Sequence, residues 1–518
     1  MISRHQLLDR LRNAPCWDLV VIGGGASGLG AALDAASRGL TTLLIESADF
    51  AQGTSSRSTK LLHGGVRYLA QGKIGLVREA LHERTILLRN APHLAHTLEF
   101  VVPAESRASL FYYGLGLRAY DLLAGRDGLG LSRVVGRAEL IQLAPTLKPG
   151  RFRGGIIYKD GQFDDARYAI SLVRTIFERG GLAINAMPLV GFVKERGRIS
   201  GVEARDIETG ETFRINARTV INATGVEVDI VRLLDDSNAS PTLAPSRGSH
   251  LILDRKFLPG RAGVMIPKTD DGRVLFAIPW HDKVLLGTTD TPVDRVTREP
   301  RPSTEEIQYL LDHAGRYFAE RPRLEDIRSV FAGLRPLIGR GGSGRTSSIS
   351  REHAIFVSDS GLVTITGGKW TTYRRMGREV VDRAIDVSGL PRSPSRTEFL
   401  RIQGWTDQIA MAPFSIYGSD ARKLERLVEE NPEWGEKIHS RLTALEVEVI
   451  WACRFEFARS VEDVLARRTR SLFLDARSSV EAAPLVASLM AGELGFDRSW
   501  EASQVEAFRD LASNYLPD

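Results

Sequence analysis

The sequence predicts an α/β fold in three parts: a nucleotide-binding parallel sheet, a second, antiparallel region inserted between its pieces, and an all-helical C-terminal domain. Three observations carry the prediction. A βαβ unit punctuated by glycines runs from Asp18 to Glu46, short strands and turns alternate from Met265 to Thr289, and the chain beyond Ile402 places Glu, Leu, Arg and Ala at helical spacing.

The first unit reads DLVVIGGGASGLGAALDAASRGLTTLLIE. Leu19 to Ile22 is an apolar, β-branched run, as in a buried parallel strand. Gly23, Gly25 and Gly28 give G-x-G-x-x-G. The Ala-rich stretch to Arg38 favours helix, Thr41 to Ile45 forms a second buried strand, and Glu46 closes it roughly 20 residues beyond the glycines, which completes a dinucleotide fingerprint. Gly23 permits the tight turn, Gly25 lets a pyrophosphate approach the backbone, and Gly28 lets the helix pack closely on the sheet. The helix N-terminus offers N–H groups to phosphate, and Glu46 can accept from ribose hydroxyls while repelling a 2′-phosphate. The fingerprint does not separate FAD from NAD.

GTSSRSTKLLHGGVRYL follows (53–69), polar but anchored by leucines, with Arg57, Lys60, His63 and Arg67 facing a ligand. An amphipathic helix is predicted over 76–94. In RASLFYYGLGLRAYDLLAG (107–125) apolar residues surround nearly the whole helix, with a narrow stripe at Arg118 and Asp121. This suits a buried helix or a membrane-interface helix with aromatic anchors and flanking Arg107, Arg118 and Arg126. A helix over 165–180 and strands over 182–193 and 199–206 come next. TVINATG (219–225) is a buried strand ending in small residues, as a backbone bordering a nucleotide requires. Val363 to Thr366, Gly367-Gly368 and Lys369 to Arg383 repeat the strand–Gly–helix pattern. PRSPSR (391–396) reads as a linker, and the charges of the helical C-terminus are expected to solvate an outer face.

The chain has 518 residues, enough for roughly two or three domains. Its two cysteines, Cys16 and Cys453, imply no disulfide framework and fit a reducing compartment. No apolar run of about 18 residues predicts a membrane span, and the first residues lack the apolar region of a secretory signal. A net charge of +5 suits an anionic substrate or lipid surface and is too dispersed for nucleic acid. No metal-ligand spacing occurs, so no metal is expected.

The segments DLVVIGGGASGLGAALDAASRGL, GTSSRSTKLLHGGVRYL, PWHDKVLLGTTDTP, GLRPL, SREH, GGKWTTYR and VEDVLARRTR closely resemble the FAD-dependent, quinone-linked glycerol-3-phosphate dehydrogenase family, in the family's order and over nearly the whole chain. The mitochondrial-type members are the most similar, although no EF-hand pattern is present. The resemblance implies a glutathione-reductase-type FAD-binding Rossmann domain (1–75, 160–230 and 330–390), an inserted mixed β-sheet substrate or cap domain (76–159 and 231–329) and a helical C-terminal domain (397–518). It implies oxidation of sn-glycerol 3-phosphate to dihydroxyacetone phosphate by hydride transfer from C2 to FAD N5. Electrons then pass to membrane quinone, from a peripheral, monotopic position on the cytoplasmic face of the inner or plasma membrane with an anionic lipid surface. It leaves room for a homodimer. The alternative is an oxidase that uses O2 and gives peroxide. More distant alternatives are a flavoenzyme acting on an amine or 2-hydroxy acid, and a non-enzymatic FAD module.

By this resemblance Arg335, Arg351 and Arg67 hold the substrate phosphate, as guanidinium forks do. Lys369 reaches flavin or substrate. Ser56, Lys60, His63, Gly225, Gly367, Gly368 and Thr371 border the flavin with Gly23, Gly25, Gly28 and Glu46. His250, in SRGSH, is the candidate base, with His63 and His353 as competitors, and a histidine-free water relay is also open. One departure from the family is Val226-Glu227 where Pro and an aromatic residue commonly follow the ATG stretch.

Overall fold

The computed structural model describes residues 3–65, 69, 72–339, 352–410 and 412–517. Two sheets organise them. In the first, Trp17–Ile22 is flanked in parallel register by Thr42–Ile45 and by the second half of Thr212–Asn222, with Val21 opposite both Leu44 and Ile221. The order runs 353–357, 363–367, 212–222, 17–22, 42–45, 182–184, and the first half of 212–222 turns antiparallel against 198–205, which pairs 189–195. The central strands are apolar on both faces because helices cover both. The helices Ala26–Ser37 and Tyr373–Ser388 cross at glycines: a Cβ on Gly377 would lie 2.4 Å from Gly30 O.

The second sheet has ten strands, mostly antiparallel. Near one edge, Ser246–Asp254 is hydrogen-bonded to Lys283–Gly287 on one side and to the edge strand Ile327–Arg335 on the other. The antiparallel alternation expected over 265–289 is present as 263–266, 275–280 and 283–287. The expected boundaries at 160 and 330 each cut a strand of this sheet, Gly154–Phe163 and Ile327–Arg335, and Leu61–Leu62 also pairs into it. The sequence placed Leu61–Leu62 and the later part of each divided strand in the nucleotide domain because their pairing partners leave no mark within their own residues.

Helices between Ala421 and Ser513 pack onto the second sheet, where Phe331, Trp280 and Ile252 share a core with Phe473, Leu465 and Val486. The expectation that the charges of VEDVLARRTR face solvent is corrected here. Arg467, Arg468, Arg470 and Asp463 are buried in and just after a π-helical turn over Asp463–Arg468. Arg468 grips Asp49 with Nη1 and Nη2 at 2.6 and 2.9 Å, Arg467 also pairs Asp49, and Arg470 Nη2 donates to Asp165 Oδ1 at 3.1 Å. Burial opposes the Asp49 carboxylate, but the two guanidiniums outweigh it and hold the pKa near 2.

The helix Arg107–Ala124 is packed on one side only. Gly114, Leu117, Tyr120 and Ala124 are buried, while Phe111 is 73% and Leu122 81% exposed, with Tyr112 and Leu115 beside them. Tyr120 anchors the inner face, its hydroxyl donating to Asp160 Oδ2 at 2.8 Å. Among the described residues no helix is long and apolar enough to cross a membrane.

Candidate active site

A cavity of about 650 Å³ runs from the glycine turn of the first sheet to the face of the second. At one end the helix Ala26–Ser37 begins at Gly25, which has no side chain to cap it, and Gly25, Ala26 and Ser27 line the cavity. Gly23 has φ +108°, and a Cβ there would meet Ala223 O at 2.7 Å. A Cβ on Gly28 would meet Gly23 O at 1.9 Å, so Gly28 closes the turn from behind and does not line the cavity. Glu46 lines this end. It accepts from Gly24 N at 2.6 Å and Ala48 N at 2.9 Å, and burial raises its pKa against those bonds. Gly225, in the left-handed region at φ +61°, lines the cavity together with Val226.

The middle is formed by loop 51–59 and by Gly367 to Thr371. Gly367 and Gly368 have φ +80° and +77°, and a Cβ on Gly368 would strike Met376 Sδ at 2.4 Å, so this turn admits no side chain. Lys369 and Thr371 line the cavity. So does Trp370, whose indole N–H donates to Ser55 O at 2.8 Å and whose ring packs edge-on against Phe163, Tyr168 and Tyr373.

At the far end the pleat of Ser246–Asp254 aims alternate residues, Gly248 and His250, into the cavity. Arg335, at the end of the neighbouring strand, lies across Gly248, where a Cβ would sit 2.3 Å from its Nη2. Its guanidinium is held by Asp290 Oδ1 (3.1 Å), Thr288 Oγ1 (3.1 Å) and Thr289 O (3.0 Å). His250 is stacked on Phe331 at 4.7 Å, faces Gly287, where a Cβ would fall 2.3 Å from Cδ2, and meets Thr59 Oγ1 through Nε2 at 2.9 Å. Burial, then Lys60 and Arg335, push its pKa well below 6.5, so the ring is neutral.

Besides Gly28, two expected flavin contacts are placed elsewhere. Lys60 is fully buried behind the cavity, with Nζ at 2.7 Å from Asp165 Oδ2 and 2.8 Å from Ser56 O. Ser56 turns inward, and its neighbour Ser55 lines the cavity and accepts from Ala26 N at 2.9 Å. A run of seven polar residues, Thr54 to Lys60, does not reveal which side chains point out of a short 3₁₀ turn. His63 lines the cavity, whereas His353 is paired with Glu379 at 2.7 Å outside it. Arg67 and Arg351 lie outside the described residues. Residues that sequence reasoning missed include Thr59, Thr288 and Asp290, whereas Arg57, expected to face a ligand, does line the cavity. GTTDTP was noticed as a motif, but only the strand register brings its Asp and Thr to Arg335.

The chain is similar to known proteins along nearly its whole length. The profile of the FAD dependent oxidoreductase family matches residues 18–374, and that of the C-terminal domain of alpha-glycerophosphate oxidase matches residues 361–501. The mitochondrial glycerol-3-phosphate dehydrogenase of Mus musculus is 38% identical, over 97% of this chain and 74% of that protein. That of Arabidopsis thaliana is 37% identical, over 96% and 86%. Among solved structures, a glycerol-3-phosphate dehydrogenase from Bacillus halodurans complexed with FAD superposes with a TM-score of 0.81 and 29% identity, covering 100% of this chain and 98% of that one. L-alpha-glycerophosphate oxidase from Mycoplasma pneumoniae shares the fold, with a TM-score of 0.55 and 16% identity, over 72% of this chain and 95% of that one.

Proposed function

The chain belongs to the family of FAD-dependent glycerol-3-phosphate dehydrogenases, and from that premise we propose that it oxidises sn-glycerol 3-phosphate to dihydroxyacetone phosphate at the His250–Arg335 end of the cavity and passes the electrons to membrane quinone. The observation that carries the reading is Arg335. Its guanidinium is fixed at the cavity wall by an acid, a hydroxyl and a carbonyl, as a phosphate grip requires. The glycine turn, the uncapped helix and Glu46 are the groups that would hold FAD, and the close approaches at Gly23 and Gly28 support that fit. FAD held there would supply the two-electron acceptor for the C2 hydrogen.

The protein's own part is placement and proton handling. Arg335 holds the phosphate end, so the C2–H direction is set from a distance. Lys369 adds positive charge beside the glycine turn, where negative charge gathers as the alcohol is oxidised. His250 is a neutral acceptor for the hydroxyl proton. Phe331 and the bare Gly287 backbone keep its ring in one plane, and Nε2 already has a hydroxyl partner in Thr59. Arg351 and Arg67 complete the proposed phosphate contacts by their motif positions.

The test is anaerobic flavin absorbance. Adding sn-glycerol 3-phosphate bleaches the flavin band, and a quinone analogue restores it. Full FAD occupancy without bleaching would refute the substrate. Rapid peroxide formation in air, with no preference for quinone, would favour the oxidase reading.

Because burial, Lys60 and Arg335 all disfavour the imidazolium, the acid limb of kcat belonging to His250 lies below 6.5. A kcat–pH profile at saturating substrate checks this, and a limb at or above 6.5 removes His250 as the base.

Membrane attachment is supported by the outer face of Arg107–Ala124, where Phe111, Leu115 and Leu122 stand exposed with Arg107, Arg118 and Arg126 around them. Stems of such arginines can lie on the apolar surface with their heads among lipid phosphates. Phe111→Asp combined with Leu122→Asp lowers binding to anionic vesicles by more than about tenfold, since each side chain contributes about 1.5–3 kcal/mol on burial. Co-sedimentation measures it, and unchanged binding would move the membrane contact elsewhere.

A further inference from the structure

The segment 293–303 has no regular secondary structure, yet Thr297, Arg298 and Pro300 form part of the cavity wall. A chain without its own ladder is positioned by side-chain ties. Besides Arg301 Nη2 donating to Leu516 O at 3.1 Å and Arg298 pairing Glu227 at 3.5 Å, the ties here converge on Glu299. Its Oε1 meets Arg57 Nη2, while Arg57 Nη1 donates to Arg298 O at 2.8 Å. Its Oε2 accepts from the hydroxyl of Tyr515 at 3.1 Å. Tyr515 belongs to the last turn of the chain and is itself fixed, since its carbonyl accepts from Val330 N at 2.8 Å. Arg57 lies in the loop that forms the facing part of the wall, and the same loop is tied to the C-terminal region a second time, by Gln52 Nε2 donating to Glu462 Oε1 at 2.9 Å.

We propose that Glu299 and Tyr515 are positioning residues for the cofactor: they latch the 296–300 segment and Arg57 to the turn that follows the helix Arg498–Ser513, and the latch sets how slowly FAD leaves the cavity. The inference rests on the reading that this cavity holds FAD. Glu299 touches neither sheet ladder, so its loss frees the wall without dismantling a strand. Tyr515 reaches it with a single hydroxyl, while its ring stays in the core against Phe473. The last turn of the chain, far from the glycine fingerprint in sequence, thus acts on the fingerprint's ligand.

The experiment uses the purified holoenzyme and follows the rise in free FAD fluorescence after dilution. Glu299→Gln weakens two charge-assisted bonds and releases FAD about tenfold faster. Tyr515→Phe keeps the packed ring, loses one bond, and releases it about threefold faster. Arg459→Ala is the control. It removes a two-point ion pair between the C-terminal region and Glu208, away from this wall, and leaves release at the wild-type rate. Wild-type release rates in both latch variants would overturn the proposal, and so would equal acceleration by Arg459→Ala, which would mark general loosening. Gly25→Val tests the underlying reading separately: FAD retained in that variant places the cofactor elsewhere, whatever the latch variants do.

Discussion

Arg335→Leu lowers kcat/KM for sn-glycerol 3-phosphate by about a thousandfold, or about 4 kcal/mol, within the range for removing one member of a desolvated charge pair. Two losses add. The phosphate loses its fork, and Asp290, only 4% exposed, loses the guanidinium it faces at 3.1 Å. The phosphate is remote from C2, so its binding energy also serves to orient the reacting bond, and kcat falls along with the rise in KM. Arg335→Lys recovers the charge but not the fork and sits between the two. Steady-state kinetics with the loaded enzyme decides it: a leucine variant within threefold of wild type would remove Arg335 from the substrate site.

The second large effect is on stability. Asp165 is completely buried at the start of the helix Asp165–Glu178, and one carboxylate serves three segments. Oδ2 accepts from Ser58 N (3.0 Å), Ser58 Oγ (2.7 Å) and Lys60 Nζ (2.7 Å), while Oδ1 accepts from Arg470 Nη2 (3.1 Å). Asp165→Ala takes from Arg470 one of its two acids, leaving Asp164 at 3.6 Å. It takes from Lys60 the carboxylate that opposes burial, which already pushes the pKa of that amine down to about 7. The loss is therefore at most about 3–5 kcal/mol. That is a large share of the roughly 5–15 kcal/mol that holds a folded domain together. Denaturant unfolding shows the loss as a lower midpoint, with poor soluble yield. Asp165→Ala combined with Lys60→Met removes the buried amine left without its carboxylate and recovers part of the stability. A single variant as stable as wild type would mean that water already screens these groups.

The nucleotide unit was legible in the sequence because its signals are local. Strand, glycines, helix and acid occur within one short stretch, and backbone geometry needs each residue type where it stands. The antiparallel strands over 265–289 were legible for the same reason. What stayed hidden depends on partners distant in the chain. Arg468 reads as a surface charge until Asp49 is brought to it, and Lys60 reads as a ligand until Asp165 claims it. Ser55 and Ser56 are indistinguishable by composition, and only the 3₁₀ turn decides which one lines the cavity. The strand Ile327–Arg335 was divided at 330 because its pairing with Ser246–Asp254 leaves no mark within its own residues. For the helix Arg107–Ala124, apolar residues on nearly all sides concealed which face the second sheet would take.

Trp370 gives the molecule a light-sensitive gauge of its own state. Its indole borders the cavity within a nest of three other aromatic rings. An isoalloxazine seated alongside would absorb at the wavelengths where that indole emits and drain its excitation. Loading the empty protein would therefore dim its ultraviolet glow, and escape of the flavin would restore it, so occupancy can be followed in real time without a label, a substrate or a catalytic turnover.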